Sequence, residues 1–168
     1  MTSQVRHLEA ADAAAFHALR REALLDTPLA FGSSPEDDRF ADLDAVHEQL
    51  RRGPEAVIIG AFLPSLVGCV GVYRDPHVKF AHRAHVWGMY VAPAARRQGL
   101  GTQLIEAAVA HARTLPDVIW VQLGVSAAAP VARRLYERAG FREWGIEPEA
   151  TRYGDRLVDE HHLALRLR

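Results

Sequence analysis

The segment VAPAARRQGLGTQLIEAAVAHAR, residues 91–113, joins a strand-like apolar start to a long stretch in which apolar residues recur at helical spacing. Between the two lie Arg96, Arg97, Gly99 and Gly101. A helix that begins here leaves its first backbone N–H groups unpaired and directs the positive end of its dipole toward them. Glycines let the backbone approach a bulky anion closely, and arginines add charge and donors. The segment therefore predicts a loop that binds a phosphate or pyrophosphate.

The segments on either side of this loop predict a mixed sheet with helices on both faces. Apolar runs at 56–62, 66–73 and 84–91 precede the loop and have the composition of neighbouring strands. Pro116 ends the helix, and the next apolar run, 118–125, predicts another strand. A strand, a helix and a second strand in this order predict a crossover that joins parallel strands.

Weaker signals complete the predicted order of elements. Pro130 and Gly140 are typical of the start and end of a helix over about 130–139. Asp12 is expected to cap an earlier helix, whose apolar positions are Ala15, Phe16, Leu19, Ala23 and Leu24. The remaining predicted elements are a strand near 5–8, a helix near 42–51, and strands at 141–144 and 156–167 around a loop.

Composition limits the classes of function that remain open. The 168 residues, 49% of them hydrophobic, predict one domain over 1–168. A net charge of -1 provides no general attraction to nucleic acid or to an anionic membrane. No apolar run approaches the ~18 residues of a membrane span, and the polar residues 1–4 do not begin a signal peptide, so a cytoplasmic protein is expected. Cys69 is the only cysteine and is expected to be a buried structural thiol.

Two common phosphate motifs do not match the glycine loop. A P-loop needs a Gly-Lys-Ser/Thr sequence, and the dinucleotide fingerprint needs a third small residue where Leu104 stands. The pattern that is present, Arg96-x-x-Gly99-x-Gly101, resembles the coenzyme A pyrophosphate loop of the GNAT superfamily of N-acyltransferases. ARRLYERAGF, residues 132–141, is similar to the helix and turn that follow in that superfamily. The likeness covers nearly the whole chain, with a departure at Ala129, where members often carry an asparagine that contacts the cofactor.

The resemblance implies an α/β (α+β) fold, with a mixed, centrally splayed sheet flanked by helices on both faces. It also implies acetyl-CoA as the acyl donor, with pantetheine held between the two splayed strands and Gly88 easing the splay. A backbone N–H near Tyr90 would then polarise the thioester carbonyl. The residues expected to bind acetyl-CoA are Met89, Tyr90, Val91, Arg96, Arg97, Gln98, Gly99, Leu100, Gly101 and Thr102.

Two side chains are candidates for the proton transfers of acetyl transfer. By position on the fourth strand, the resemblance implies that His85 is the base that deprotonates the amine. A water relay, or a purely structural His85 on a half-buried strand, remains open. Tyr136 falls at the tyrosine that, in the superfamily, assists departure of the coenzyme A thiolate, either as a proton donor or through a hydrogen bond. The pairs His82/His85 and His161/His162 lack accompanying ligands at zinc-like spacing, so no metal is expected.

The resulting functional prediction is an N-acetyltransferase that moves an acetyl group from acetyl-CoA to a primary amine of a small molecule or peptide, by direct attack in a ternary complex. The alternative is a non-catalytic acyl-CoA-binding module that senses the cofactor or regulates a partner. The resemblance implies that segments 26–40 and 147–155 shape the acceptor pocket, and a homodimer would be in keeping with it. The acidic run 36–38 either recruits a cationic acceptor or, as is commoner for such runs, belongs to a solvated loop.

Overall fold

The computed structural model describes residues 3–168; Met1 and Thr2, part of the polar opening stretch, lie outside the described residues. Seven strands form one sheet, and four α-helices accompany it. The strands are β1 (Gln4–His7), β2 (Ala56–Leu63), β3 (Ser65–Arg74), β4 (Arg83–Val91), β5 (Trp120–Ser126), β6 (Arg142–Tyr153) and β7 (Arg156–Arg166). The helices are α1 (Ala13–Asp26), α2 (Leu43–Leu50), α3 (Leu100–Thr114) and α4 (Pro130–Arg138).

The order of strands across the sheet is β1-β2-β3-β4-β5-β7-β6. Its neighbours pair antiparallel except β4 and β5, which are parallel and are joined through α3. This confirms the crossover predicted from the glycine loop and the two strands around it. The mixed α/β class predicted from the sequence is confirmed as well.

Helices cover both faces of the sheet, and each face has its own hydrophobic core. Leu100, Leu104 and Ala108 of α3 belong to one core, together with Tyr136 of α4. Phe16 and Leu19 of α1 and Val46 of α2 belong to the other. Side chains alternate between the faces along each strand. Each strand position is therefore assigned to the α1/α2 face or to the α3/α4 face.

Cys69 lies in the core of the α1/α2 face. It is 2% exposed, and burial raises the pKa of its thiol to about 12. The thiol is thus protonated at neutral pH and unreactive, as expected of a structural cysteine.

The parallel strands β4 and β5 separate soon after they meet. They pair only at Arg83, Ala84 and His85 of β4, opposite Trp120, Val121 and Gln122. Beyond His85, β4 is irregular: Gly88 has a φ of +62°, and the register with β3 shifts between Cys69 and Gly71. The left-handed conformation of Gly88 fits a bulge that bends β4 away from β5. The centrally splayed sheet expected from the resemblance is therefore present.

Three local expectations were wrong. Asp12 does not cap α1 with its side chain, because that carboxylate pairs with Arg6 and accepts the Glu9 N–H. Ala15 is exposed, and Ala13 takes its place in the core. The last hairpin has almost no loop: β6 extends to Tyr153 through a polar stretch that pairs with β7.

No helix among residues 3–168 is long and apolar enough to cross a membrane.

Candidate active site

A cavity of about 290 Å³ lies where β4 and β5 separate, and we call it the gap cavity. Its lining residues are Tyr73, His85, Val86, Trp87, Gln122, Leu123, Gly124, Trp144 and His162. Ala84 and Val86 are in the α3/α4 core, so His85 and Trp87 face the α1/α2 side by alternation. Leu163 is also in the α3/α4 core, so its neighbour His162 faces the same side as His85. The gap cavity therefore opens on the α1/α2 face of the sheet.

His85 stands at the last paired position of β4, beside the opening. Its ring stacks on Tyr73, with the ring centroids 4.8 Å apart. Its Nε2 lies 3.4 Å from Oδ2 of Asp75, but this buried nitrogen makes no hydrogen bond with residues 3–168. Burial lowers the pKa of His85, and the Asp75 carboxylate opposes that shift. The lowered pKa makes His85 a predominantly neutral imidazole at pH 7.

The glycine loop presents a row of backbone donors at the start of α3. Gly99 is the N-cap of α3 in a left-handed conformation (φ +79°), and the first helical bond runs from the Gln103 N–H to the Gly99 carbonyl. The N–H groups of residues 99–102 have no acceptor among the described residues. Four adjacent donors at the positive end of a fifteen-residue helix suit an anion of the size of pyrophosphate.

Gly101 also has a packing role, in addition to the one expected from the sequence. An added Cβ at Gly101 would lie 3.2 Å from Leu135 of α4 and 3.6 Å from Met89 of β4. Gly101 therefore permits the close approach of α3 to α4, whereas a Cβ at Gly99 would meet open space. The loop carries a second left-handed residue, Arg97, with a φ of +62°.

Arg96 is engaged within the protein. Its guanidinium donates to the Val91 carbonyl at 2.9 Å, pairs with Asp26 and lies over the ring of Tyr90. The Tyr90 hydroxyl in turn contacts Asp26 and Glu22, and burial together with these carboxylates raises its pKa. Arg96 thus ties the glycine loop to β4 and to the end of α1, while Arg97 and Gln98 stay exposed at its outer side.

The backbone of β4 also presents polar groups to the opening. The Ala92 N–H donates to the Val67 carbonyl of β3, and Tyr90 is opposite Cys69 of β3. Because backbone groups alternate between the two edges of a strand, the polar groups of Met89 and Val91 face β5. Their N–H groups therefore point into the space between the separated strands, and that of Tyr90 does not.

Tyr136 lies on α4, beneath the opening and within the α3/α4 core. It is 7% exposed, and burial raises its pKa. Its hydroxyl has no hydrogen-bond partner among residues 3–168. Ala129, at the N-cap of α4, provides no side-chain cap. Of the residues predicted from the sequence, His85 lines the gap cavity, whereas Tyr136 and the glycine loop are not among its lining residues and Tyr136 lies in the core of the opposite face.

Some residues around the gap cavity could not be selected from the sequence. Asp75 follows β3 and reaches His85 only because β3 and β4 are paired. Tyr73 is opposite His85 in that pairing. The alternation of side chains along β3 and β4 is a signal from which the contact between Tyr73 and His85 could have been predicted. Trp144 lies on β6, and the polar sequence of this strand gives no signal that Trp144 lines the cavity.

The acidic run 36–38 has structural uses. Asp38 forms a buried ion pair with Arg20 of α1 at 2.8 Å, and both side chains are less than 10% exposed. Asp37 accepts the Ser34 N–H. The reading of this run as a solvated loop fits Glu36 and Asp37, which are exposed, but not Asp38, which is buried. Within residues 3–168, no three His, Cys, Asp or Glu side chains are grouped closely enough to hold a metal ion.

Comparison with known families gives one clear match. Residues 16–141 match the model of the Acetyltransferase (GNAT) family. That range contains most of α1, both β4 and β5, the glycine loop and α4.

Solved structures with the same fold are numerous. An N-acetyltransferase from Staphylococcus aureus Mu50 is 18% identical with a TM-score of 0.87, each chain being covered completely. A ribosomal-protein-alanine N-acetyltransferase from Brucella melitensis is 24% identical with a TM-score of 0.84, over 98% of this chain and 99% of that one. A phosphinothricin acetyltransferase from Sinorhizobium meliloti, solved with acetyl-CoA, is 19% identical with a TM-score of 0.84, over 99% and 89%. At these identities the likeness establishes the fold.

Proposed function

The chain belongs to the acetyltransferase (GNAT) family, whose members are enzymes that transfer acetyl groups, and from this we propose its reaction. It transfers the acetyl group of acetyl-CoA to a primary amine of a small molecule or peptide, by direct attack in a ternary complex. The structural relative from Sinorhizobium meliloti, which binds acetyl-CoA, supports this choice of donor.

Two features carry the proposal together: β4–β5 pairing ends at His85, and four unpaired backbone N–H groups lie at the start of α3, the helix that follows β4. The N–H groups of residues 99–102 fit the pyrophosphate of coenzyme A, because they combine donors with the helix dipole and need no metal. The separated edges of β4 and β5 fit pantetheine, whose amides need backbone partners. Arg97, Gln98 and the remaining loop residues would border the phosphates, with Arg96 holding the loop in shape.

The β4 edge would both orient the donor and assist the reaction. Acetyl-CoA supplies an activated acetyl thioester. The N–H groups of Met89 and Val91 face the opening, which supports a role in pairing with pantetheine and in stabilising negative charge on the carbonyl oxygen. The backbone donor expected near Tyr90 is therefore assigned to its neighbours, Met89 and Val91.

The amine must lose a proton before it can attack. An alkyl amine with a pKa of about 10.4 is neutral only about once in 2,500 molecules at pH 7. His85 is predominantly neutral at that pH, which supports its role as the base. Proton transfer to an imidazole of pKa about 6.5 is uphill by roughly 5 kcal/mol, so a water relay or partial desolvation of the amine is part of the proposal. Asp75 would stabilise the imidazolium that forms.

Tyr136 is proposed to assist the departing thiolate. A phenol of pKa about 10 beside a thiol of pKa about 8.5 favours a hydrogen bond to the developing charge over complete proton transfer. Burial raises the pKa of Tyr136 further, so its hydroxyl is protonated at neutral pH and available as a donor. An unpartnered donor at this place supports the assignment.

Residues 1–168 are proposed to form a single catalytic domain. Its single cysteine, buried and protonated, suits a reducing compartment, which supports a cytoplasmic location.

The direct test measures release of free thiol from acetyl-CoA in the presence of polyamines, amino acids, aminoglycosides or peptides. We expect turnover with at least one class, together with a product heavier by one acetyl group. Calorimetry with acetyl-CoA alone accompanies the assay. Binding without turnover on any class would contradict acetyl transfer and favour the non-catalytic module.

A further inference from the structure

A second cavity, of about 890 Å³, lies beside the gap cavity, and we call it the arginine cavity. Tyr73 and Trp87 line both cavities, so the two share a wall on the α1/α2 face. The lining also includes Asp75, whose carboxylate lies 3.4 Å from Nε2 of His85. A molecule in the gap cavity could therefore extend into the arginine cavity.

Three arginines line the arginine cavity, and two of them have no acidic partner. Arg74 pairs with Glu55 at 3.5 Å and donates to the Ala81 carbonyl. The guanidinium groups of Arg39 and Arg52 form no hydrogen bond or ion pair within residues 3–168. Both side chains remain accessible to solvent. Two cationic groups of the lining are therefore available to a ligand.

The nearby carboxylates do not take up these two cations. Asp38, next to Arg39 in the chain, forms its buried ion pair with Arg20. Asp75 accepts the backbone N–H of His77. Asp117 is exposed in the turn after α3 and forms no ion pair within residues 3–168. The charges on this side of the cavity thus leave an excess of positive charge.

Arg39 lies where the two cavities meet. Its guanidinium is over the ring of Trp87, 4.5 Å from the centroid. Burial and the positive charges of Arg20 and Arg52 lower the pKa of Arg39, and the Asp38 carboxylate only partly opposes them. The surroundings therefore disfavour the charge on Arg39, while the stacking restricts the orientation of its guanidinium.

A guanidinium presents its N–H donors as a planar fork that matches the oxygens of a carboxylate or phosphate. An anion bound here would also reduce the repulsion between Arg39 and Arg52. We infer that Arg39 and Arg52 bind an acidic group of the acceptor, a carboxylate or a phosphate, while its amine lies in the gap cavity. The inference rests on the proposed function and adds to it a negative charge that a primary amine does not by itself carry.

The test measures binding in the absence of acetyl-CoA. The probes are γ-aminobutyrate, δ-aminovalerate and ε-aminocaproate, each compared with its neutral carboxamide, and phosphoethanolamine compared with ethanolamine. The series covers a range of distances and separates carboxylate from phosphate. Tryptophan fluorescence at pH 7 is the signal, because Trp87 lines both cavities. We expect the wild type to bind at least one acid about tenfold more tightly than its neutral analogue.

Substitutions of the two arginines identify the site. Arg39→Gln and Arg52→Gln should each weaken binding of that acid about tenfold and leave the neutral analogue within twofold. Arg39→Lys keeps the charge but not the fork, so it should retain part of the affinity. Arg51→Gln is the matched control, because Arg51 is exposed beside Arg52 but does not line the cavity. It should bind the acid as the wild type does.

Inorganic phosphate and acetyl-CoA are titrated separately to identify other occupants. Phosphate binding as tight as that of the best amino acid would mean a site for a free anion. A loss of acetyl-CoA affinity in Arg39→Gln would mean that the cavity holds a phosphate of the cofactor. Either result would overturn the inference.

Three further results would also overturn it: no acid bound by the wild type, equal affinities for the acids and their neutral analogues, or an acid affinity unchanged in both glutamine variants. None of these measurements involves turnover. The proposed acetyl transfer fails separately, in the thiol-release assay.

Discussion

At the scale of single residues, the site depends on side chains that lack the partners their surroundings would normally provide. The Nε2 of His85 and the hydroxyl of Tyr136 make no hydrogen bond with residues 3–168. The His85 nitrogen is also fully buried, and buried polar atoms without a partner are rare in native proteins. The pattern is expected where a substrate completes the contacts. Such atoms are also the ones for which a single change is most informative.

Tyr136→Phe removes only the phenolic oxygen. General acid assistance is worth about 10²–10⁴-fold, so kcat should fall by about that factor while acetyl-CoA affinity and Tm change little. Tm should be nearly unchanged because the hydroxyl has no hydrogen bond to lose within the described residues. Steady-state kinetics, calorimetry and thermal melting on one preparation check this. Wild-type activity in the variant would remove Tyr136 from the mechanism.

His85→Gln should change the pH dependence of the reaction. A base must be neutral, so wild-type kcat/KM should fall on the acid side with a pKa below the ordinary 6.5, since burial lowers the pKa of His85. The variant should lose this acid limb; its activity should fall most above the pKa of His85 but well below that of the amine, and should recover as pH rises further. A pH–rate profile from about pH 5 to 9 measures this.

Asp75→Asn is the matched control for that profile. The carboxylate raises the pKa of His85, so its removal should move the acid limb to still lower pH. If His85→Gln leaves the profile unchanged, the base is water or another residue, and His85 has only a structural role.

At the scale of elements, the loop before α3 combines a chemical role with a packing role. Gly99 provides the left-handed N-cap, and Gly101 allows Leu135 of α4 to approach α3. Substitution of Gly101 would therefore disturb the contact between the helices as well as the ligand. A cleaner test removes a donor without adding a side chain to that contact.

Thr102→Pro is such a change. Thr102 is exposed in the first turn of α3, where a missing N–H breaks no helical hydrogen bond and proline is tolerated. A hydrogen bond to a charged group is worth about 1.5–3 kcal/mol, so acetyl-CoA affinity should fall about 10- to 100-fold. Calorimetry measures the affinity, and Thr102→Ala, which keeps the N–H, is the control. Equal affinities for the two variants would mean that this N–H does not contact the pyrophosphate.

The sequence predicted most elements because their apolar periods are strong, but it could not predict those set by distant partners. The crossover of β4, α3 and β5 has long apolar runs and was predicted. The length of β6 was not, because its residues are polar, mostly exposed, and pair with β7 at the edge of the sheet. Asp12 looked like a cap, yet Arg6 lies close enough to take its carboxylate.

At the scale of the whole molecule, one sheet separates two cores and the site lies where that sheet is split. The α3/α4 core supports the glycine loop and Tyr136, and the α1/α2 core supports the face that carries His85 and the gap cavity. Arg96 joins the two sides through its contacts with Val91 and Asp26. Asp75 reaches the site only through the pairing of β3 with β4, which no local pattern in the sequence predicts.

A ligand that fills the split should stabilise both sides together. At a free concentration 100 times its Kd, acetyl-CoA adds about 2.7 kcal/mol to the free energy of unfolding. For a chain of this size, 1 kcal/mol corresponds to about 2–4 °C, so Tm should rise by about 5–11 °C. Thr102→Pro at the same ligand concentration should show a smaller rise, in proportion to the logarithm of its weaker affinity. Thermal melting with and without acetyl-CoA measures both shifts, and equal shifts in the two proteins would mean that the ligand binds away from the glycine loop.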